Sequence, residues 1–296
     1  MRCVKCKEKA VYHRRYSGQM LCKEHFLEYF ERKVRKNIRK IGIKRGDSIG
    51  IGLSGGKDSM STLQMLWKSS KKIGFELTCI GVDEGIDGYR EETLAVAKAF
   101  TGELDVPFEV VSFKETYGRT LDEMADNGNA CTYCGVLRRR LLNEKARKLG
   151  MDKLATGHNL DDEVQAVMMN YLRGDVERLI RLGNPISGDG FVGRIKPLSE
   201  MPEKEVALYS LLTNLGSSSS ECPYSQSFRS TTRDFINQLE KANPGIKFSV
   251  MRGYEKLSPH LKSYSRSELL KCSNCGEPSS QEVCNACKIL KTLSKK

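Results

Sequence analysis

Ser48-Ile49-Gly50-Ile51-Gly52-Leu53-Ser54-Gly55-Gly56-Lys57-Asp58-Ser59 decides the fold. A short apolar run enters a glycine pair, and helical spacing of apolar residues follows over 58–71. A strand that turns into a helix through two glycines lets the backbone approach an anion closely, and the helix N-terminus offers unpaired N–H groups. Ser54, Lys57 and Ser59 add side-chain donors, so the turn is built to hold phosphate. It is not a Walker A loop: that would need glycine where Ile51 stands, and Ser or Thr where Asp58 stands.

Outward from this turn, apolar runs alternate with helical patterns from 47 to about 193. Strands are expected at 48–53, 77–82, 108–112 and 153–156, with helices at 58–71, 89–104, 135–149 and 161–173. The alternation predicts an α/β fold with a doubly wound, Rossmann-like parallel sheet, whose ligands gather at the carboxyl ends of the strands. Further helices are expected at 203–215 and 228–239.

Eleven cysteines in a chain without an export signal argue for metal binding or chemistry rather than disulfides. Cys79 sits in an apolar run and reads as a buried strand residue. Cys3, Cys6, Cys22 and His25 form two knuckles at a spacing suited to tetrahedral zinc, and Cys272, Cys275, Cys284 and Cys287 form a second such set. Neither segment has the apolar residues for a core of its own, so metal would supply the folding free energy. Cys131, Cys134 and Cys222 make up a third set. Three thiols leave a zinc site one ligand short, which keeps zinc with an added ligand, a larger metal group and a redox or persulfide relay (Cys222 as carrier, Cys134 resolving) all open.

The chain has 296 residues, 39% of them hydrophobic, and a formal net charge of +12. It can bury one substantial core, and a polyanion is a natural partner. No apolar run reaches membrane-spanning length, and the N-terminus lacks a secretory pattern; a cytoplasmic protein with no membrane partner is expected. Over 26–41 an amphipathic helix turns Arg32, Lys33, Arg35, Lys36, Arg39 and Lys40 outward, either as a solvated linker or as a phosphate-backbone contact. The expected division is a zinc module at 1–27, a basic linker helix at 28–46, the catalytic unit at 47–265 and a second zinc module at 266–296.

Gly157-His158-Asn159-Leu160-Asp161-Asp162-Glu163 opens a later helix with three carboxylates. Capping and dipole complementation explain part of that density.

Taken in order, the flanking cysteine modules, Ser-Gly-Gly-Lys-Asp-Ser, the Gly-His-Asn-x-Asp-Asp segment and the Cys-x2-Cys with a remote cysteine resemble the PP-loop ATP pyrophosphatases. Over essentially the whole chain they resemble the TtuA-like group, which converts a uridine of tRNA into 2-thiouridine. The resemblance implies that ATP is cleaved between its α and β phosphates, beside Leu53, Ser54, Gly55, Gly56, Lys57, Asp58, Ser59, Val82 and Gly157. It gives Asp161 and Asp162 Mg²⁺-binding or acid/base roles, and makes Asp58 and Asp161 catalytic. Cys131, Cys134 and Cys222 would hold a catalytic 4Fe–4S cluster whose open iron can carry sulfide, alongside two Zn²⁺ in the flanking modules. Arg138 stands where relatives often carry Lys; its guanidinium could pair with a phosphate but would not be a base. The implied partners are tRNA and a sulfur donor, either a ubiquitin-like thiocarboxylate protein or free sulfide, with a homodimer allowed. The target uridine, wobble or T loop, stays open. Rival readings are a tRNA 2-thiocytidine synthetase, an amidotransferase-like synthetase for a small acid, and a zinc-dependent RNA-binding adaptor without catalysis.

Overall fold

The computed structural model describes residues 1–125, 129–182, 190–218, 220–224, 228–261 and 270–294. The expected boundary between residues 265 and 266 lies outside them. A hairpin of β1 (Tyr12–Arg14) and β2 (Gln19–Leu21) leads into α1 (Lys23–Ile41), and β3 (Ser48–Gly52) then enters α2 (Lys57–Ile73). There follow β4 (Glu76–Asp83), α3 (Arg90–Glu103), β5 (Phe108–Ser112), the short α4 (Phe113–Tyr117) and α5 (Leu121–Met124), and α6 (Ala130–Lys148). The chain continues through β6 (Lys153–Ala155), α7 (Leu160–Leu172), α8 (Val176–Leu182), β7 (Gly193–Ile195) and α9 (Glu203–Leu212). It ends with α10 (Phe228–Ala242), α11 (Ile246–Leu261), β8 (Leu270–Lys271), β9 (Pro278–Ser279) and α12 (Asn285–Leu293). No described helix is long and apolar enough to cross a membrane.

The five-stranded sheet is parallel throughout, in the order β5-β4-β3-β6-β7. Its strands alternate between two buried faces, as parallel strands covered by helices do. Ile49, Ile51, Leu77 and Cys79 point into one core with α1, α2, α3 and α9, whereas Ile80, Val82 and Leu154 point towards α6. Gly50 and Gly52 face that second side; a Cβ on Gly50 would stand 3.3 Å from Met151, and one on Gly52 3.5 Å from Leu142. Small residues in the central strand thus bring α6 close to the sheet. Cys79 is fully buried, and burial pushes its thiol up to about 12, an inert packing residue.

Four elements differ from the sequence expectation. Helix α6 begins at Ala130 rather than 135, because Gly135 is tolerated inside it, so Cys131 and Cys134 fall one turn apart on the same helix face. Helix α11 was hidden by Gly253 and Pro259, and β7 is three residues long, too short to carry a period. Helix α1 is no free-standing linker: Phe26, Phe30, Val34 and Ile38 lie in the same core as the central sheet. Its exposed cations include Arg32, Lys36 and Arg39, while Lys33 sits 4.6 Å over the Phe248 ring and Lys40 pairs with Glu200 at 2.6 Å.

The N-terminal module is tied to α9 through one carboxylate. Glu205 is fully buried and accepts hydrogen bonds from Tyr16 at 2.6 Å, Tyr29 at 3.1 Å and Tyr12 at 3.3 Å. Burial raises its pKa, the tyrosine hydroxyls pulling the other way. Removing an acceptor leaves buried donors unpaired at about 1–3 kcal/mol each. Glu205→Ala is therefore expected to destabilise the protein by at least about 3 kcal/mol in urea unfolding, with Glu205→Gln milder. Equal midpoints for Glu205→Ala and the unsubstituted chain would refute this account of the anchor.

Candidate functional site

The order of the sheet puts the site where sequence reading expects it. The chain runs outward from β3 to β4 and β5, then returns to lay β6 on the other side of β3. The loops after β3 and β6 therefore meet above a topological switch point, the usual crevice for a ligand in an open α/β sheet.

The first loop is the phosphate turn. Gly55 has φ +84°, and a Cβ there would stand 2.1 Å from the Thr93 carbonyl oxygen, so only glycine fits. Gly56 caps α2 without a side-chain acceptor, leaving the helix N-terminus open. The Ser54 backbone N–H donates to the Ser59 hydroxyl at 3.1 Å, and that hydroxyl donates to the Gly56 carbonyl at 3.0 Å. Leu53 is buried in the core, its N–H donating to Ile80. Lys57 pairs with Asp58 at 3.0 Å and Glu203 at 2.9 Å. Burial works against its charge, but the two carboxylates more than offset that and hold its pKa above the ordinary value. Glu203, at the start of α9, was invisible to sequence reading, since nothing but a helix start marks it.

The second loop closes on the first. A Cβ on Gly157 would stand 2.8 Å from the Ser59 nitrogen, so Gly157 lets the loops touch. Asn159 caps α7 in a reciprocal box with Asp162, and its amide donates to Asp58 at 2.9 Å. Asp162 also accepts from Arg229 at 2.7 Å; burial raises its carboxyl while Arg229 opposes. Asp161 departs from the expectation. It is buried, ion-paired to Lys247, and accepts the Glu203 N–H at 2.9 Å, which leaves its carboxylate no freedom to reach the turn. The α7 start thus splits its carboxylates: Asp162 beside Asp58, Asp161 as a structural lock. His158, next to them, is lowered to about 3 by withdrawal from water and then by Lys196 and Arg229, so it is neutral at physiological pH.

Val82 is the last residue but one of β4, and its carbonyl accepts from Arg90 at 2.6 Å. Arg90 is buried, pairs with buried Glu84 at 2.7 Å and donates to the Ser54 carbonyl at 3.2 Å, bracing the turn from behind. Arg138 reaches Glu84 from the open side at 3.4 Å.

Cys131, Cys134 and Cys222 converge beside this brace. Cys131 donates to the Tyr224 carbonyl at 2.6 Å, while Cys134 and Cys222 pack half-buried against one apolar cluster. Burial pushes Cys134 up to about 11, against the pull of Arg138. The segment before Cys222 is strapped to the phosphate turn: Ser218 N–H donates to the Gly55 carbonyl at 3.0 Å, and Ser218 and Ser220 both bind Glu92. Among the described residues only two sets bring metal-ligand atoms within 4.8 Å of one another, namely Cys3, Cys6, Cys22 and His25, and Cys272, Cys275, Cys284 and Cys287. Sulfurs around one zinc stand roughly 3.8 Å apart, from a Zn–S bond of about 2.3 Å. The flanking sets fit: Cys6 and Cys22 sulfurs are 3.6 Å apart, and those of Cys275 and Cys284 3.8 Å. The central trio is not among these compact sets.

The PP-loop domain model matches residues 26–236, and that of the 2-thiouridine synthetase TtuA N-terminal LIM domain matches 2–27. The tRNA 2-thiolation protein NcsA of Haloferax volcanii is 36% identical and aligns over 99% of each chain. The tRNA-5-methyluridine(54) 2-sulfurtransferase of Pyrococcus horikoshii is 37% identical over 97% of this chain and 93% of that one. A solved structure, the U34-tRNA thiolase NcsA from Methanococcus maripaludis with its 4Fe–4S cluster, superposes with a TM-score of 0.88 at 42% identity, covering 99% and 96%.

A side chain at Gly55 has nowhere to go, so the alanine variant must distort the turn. Gly55→Ala is expected to weaken ATP-analogue binding by at least about tenfold in calorimetry, through a strain of order 1–3 kcal/mol. Native affinity in that variant would mean the nucleotide does not use this turn.

Proposed function

Because the chain belongs to the PP-loop family and, within it, to the tRNA 2-thiolation proteins, we propose that it is a tRNA sulfurtransferase. It adenylates a tRNA uridine with ATP and replaces the C2 oxygen with sulfur, giving 2-thiouridine. The observation that carries this reading is the strap between Ser218 and Gly55, which sets a phosphate turn and a cysteine trio side by side. A plain nucleotide-binding adaptor has no use for that pairing.

In this mechanism the β and γ phosphates lie on the turn and on the open N–H groups of α2, where dipole and donors are already oriented. Lys57 exchanges Asp58 and Glu203 for phosphate oxygens. Asp58 and Asp162, released from Lys57 and Arg229, are the carboxylates suited to hold Mg²⁺. The uridine O2 attacks the α phosphorus and pyrophosphate leaves, so the oxygen on C2 becomes part of a good leaving group. Sulfide then attacks C2 and AMP departs. A 4Fe–4S cluster held by Cys131, Cys134 and Cys222 would supply that sulfide at an iron without a protein ligand. Arg138, between the trio and Glu84, is placed to steady negative charge but not to take a proton. The base must leave its stack to be reached.

The modules at 1–27 and 266–296 would each hold one Zn²⁺. Eleven free thiols suit a reducing cytoplasm. Supplying a thiocarboxylated protein or free sulfide in turn identifies the donor, and mass spectrometry of the product tRNA identifies the uridine.

Lys57→Ala and Asp58→Ala are expected to abolish thiolation with unchanged thermal melts, since both side chains face the cleft. Turnover at the unsubstituted rate would sink the ATP assignment. Protein prepared without oxygen should be brown with about four irons per chain, and each of Cys131→Ala, Cys134→Ala and Cys222→Ala should lose iron and activity together. Full activity after iron chelation would point to a persulfide relay, and a colourless protein with a third zinc to a zinc site.

A further inference from the structure

Two adjoining cavities, of about 660 and 490 Å³, lie outside the phosphate turn, between the N-terminal module and the α10–α11 hairpin. They share Tyr16, Pro244 and Phe248, so they form one groove. We propose that this groove is a binding site for a single-stranded segment of the tRNA, its aromatic floor taking a base and its basic rim the flanking phosphates. The proposal rests on the sulfurtransferase reading above.

Tyr16 and Phe248 supply the floor. Their rings lie 4.8 Å apart at 58°, half-buried, with Arg14 5.0 Å from the Tyr16 ring centre and Lys33 4.6 Å from that of Phe248, and the Tyr16 hydroxyl is fixed by Glu205, so the floor is held in place before anything binds and a base would displace or lie beside those two cations. Every base has a π-face, which makes such a platform tolerant of sequence. Arg15, Lys204, Lys241 and Arg252 line the groove, are exposed, and among the described residues none is ion-paired. The acidic groups of the wall are already engaged: Asp161 by Lys247, and Glu240 by the backbone N–H groups of Gly245 and Lys247 at 2.8 and 3.1 Å. The charge left over is positive, as phosphate requires. A concavity of this volume admits one strand rather than a duplex, and exposed bases of unpaired RNA are what proteins read in RNA. The groove is also adjacent to the chemistry. Its wall includes Leu160 and Asp161, and the next residue, Asp162, belongs to the cleft beside Asp58.

The test uses the full-length metal-loaded chain, with tRNA affinity measured by fluorescence anisotropy across a potassium chloride series, and ATP-analogue affinity and thermal melts alongside. The double variant Lys241→Ala, Arg252→Ala is expected to bind tRNA at least about tenfold more weakly and to reduce the logarithmic salt slope by about 1.4, for two single-strand phosphate contacts. Phe248→Leu, which keeps an apolar side chain in the hairpin, should weaken tRNA about tenfold with an unchanged slope, because it removes stacking and no charge. Native tRNA affinity and slope in both variants would overturn the proposal. So would native tRNA affinity combined with loss of thiolation from a protein sulfur donor but not from free sulfide, which would make the groove a protein-docking site. An unsubstituted chain that binds no tRNA would instead overturn the sulfurtransferase reading itself.

Discussion

Two backbone approaches that leave no room for a Cβ hold this site together. Gly55 lies under the Thr93 carbonyl, and Gly157 lies against the Ser59 nitrogen, so the loops after β3 and β6 and the start of α3 fit only as bare backbone. Everything polar in the cleft follows from that closeness. Asn159 can reach Asp58 because Gly157 lets α7 start there, and Arg90 can brace the Ser54 carbonyl because α3 abuts the turn. Helix dipoles, donors and carboxylates are therefore in position before a nucleotide arrives, which is where such sites gain most of their catalytic effect.

The same closeness explains why the charges are paired in advance. Lys57 with Asp58 and Glu203, and Asp162 with Arg229, form a set in which every charge has an opposite partner, three carboxylates against two cations, around the phosphate turn. A cation left alone in a part-buried cleft would lose its proton more readily, and a lone carboxylate would gain one. Partners that exchange for ligand groups avoid both outcomes, so Lys57 stays an ammonium and remains ready for the phosphates. Asp161 and Lys247 play another part: both are buried, and together with the Glu203 N–H they fix α7 to α9 and α11 beneath the cleft.

Much of this was legible in the sequence because it depends on local chemistry. A glycine pair at a strand-to-helix junction, paired cysteine knuckles and an Asn-x-x-Asp capping box each carry their meaning within a few residues. The expected central strands and helices reappear with small shifts at their ends. What stayed hidden depends on distance in sequence. Glu203, Arg229, Glu84 and Lys247 are ordinary charged residues until folding brings them to Lys57, Asp162, Arg90 and Asp161. Gly253 and Pro259 masked α11, since propensity alone reads them as breaks, although its buried Lys247 and Tyr254 pay back that cost. Two adjacent carboxylates on α7 look alike in sequence, and only their neighbours separate a cleft residue from a lock.

Both flanking modules pack apolar residues into the body of the protein, and the N-terminal one adds a buried polar anchor. The N-terminal module reaches the core both by apolar contact, Cys3, Leu21 and Cys22 lying in the central cluster, and by hydrogen bonds, Tyr12 and Tyr16 converging with Tyr29 of α1 on Glu205 under a cation: the Arg14 guanidinium sits 4.0 Å from the Tyr29 ring centre. The C-terminal module docks through apolar contact, with Ala286, Ile289, Leu290 and Leu293 of α12 joining Leu137, Leu141 and the half-buried Cys134 and Cys222 in one cluster. Cys284 caps α12 and is also one of four cysteines whose sulfurs lie close enough to hold a metal ion, so the helix that seals this cluster starts at a candidate ligand. Order in the C-terminal cysteine set is thereby passed to the packing behind the cysteine trio, a link that hydrogen bonds alone would not provide because apolar packing resists small displacements in every direction.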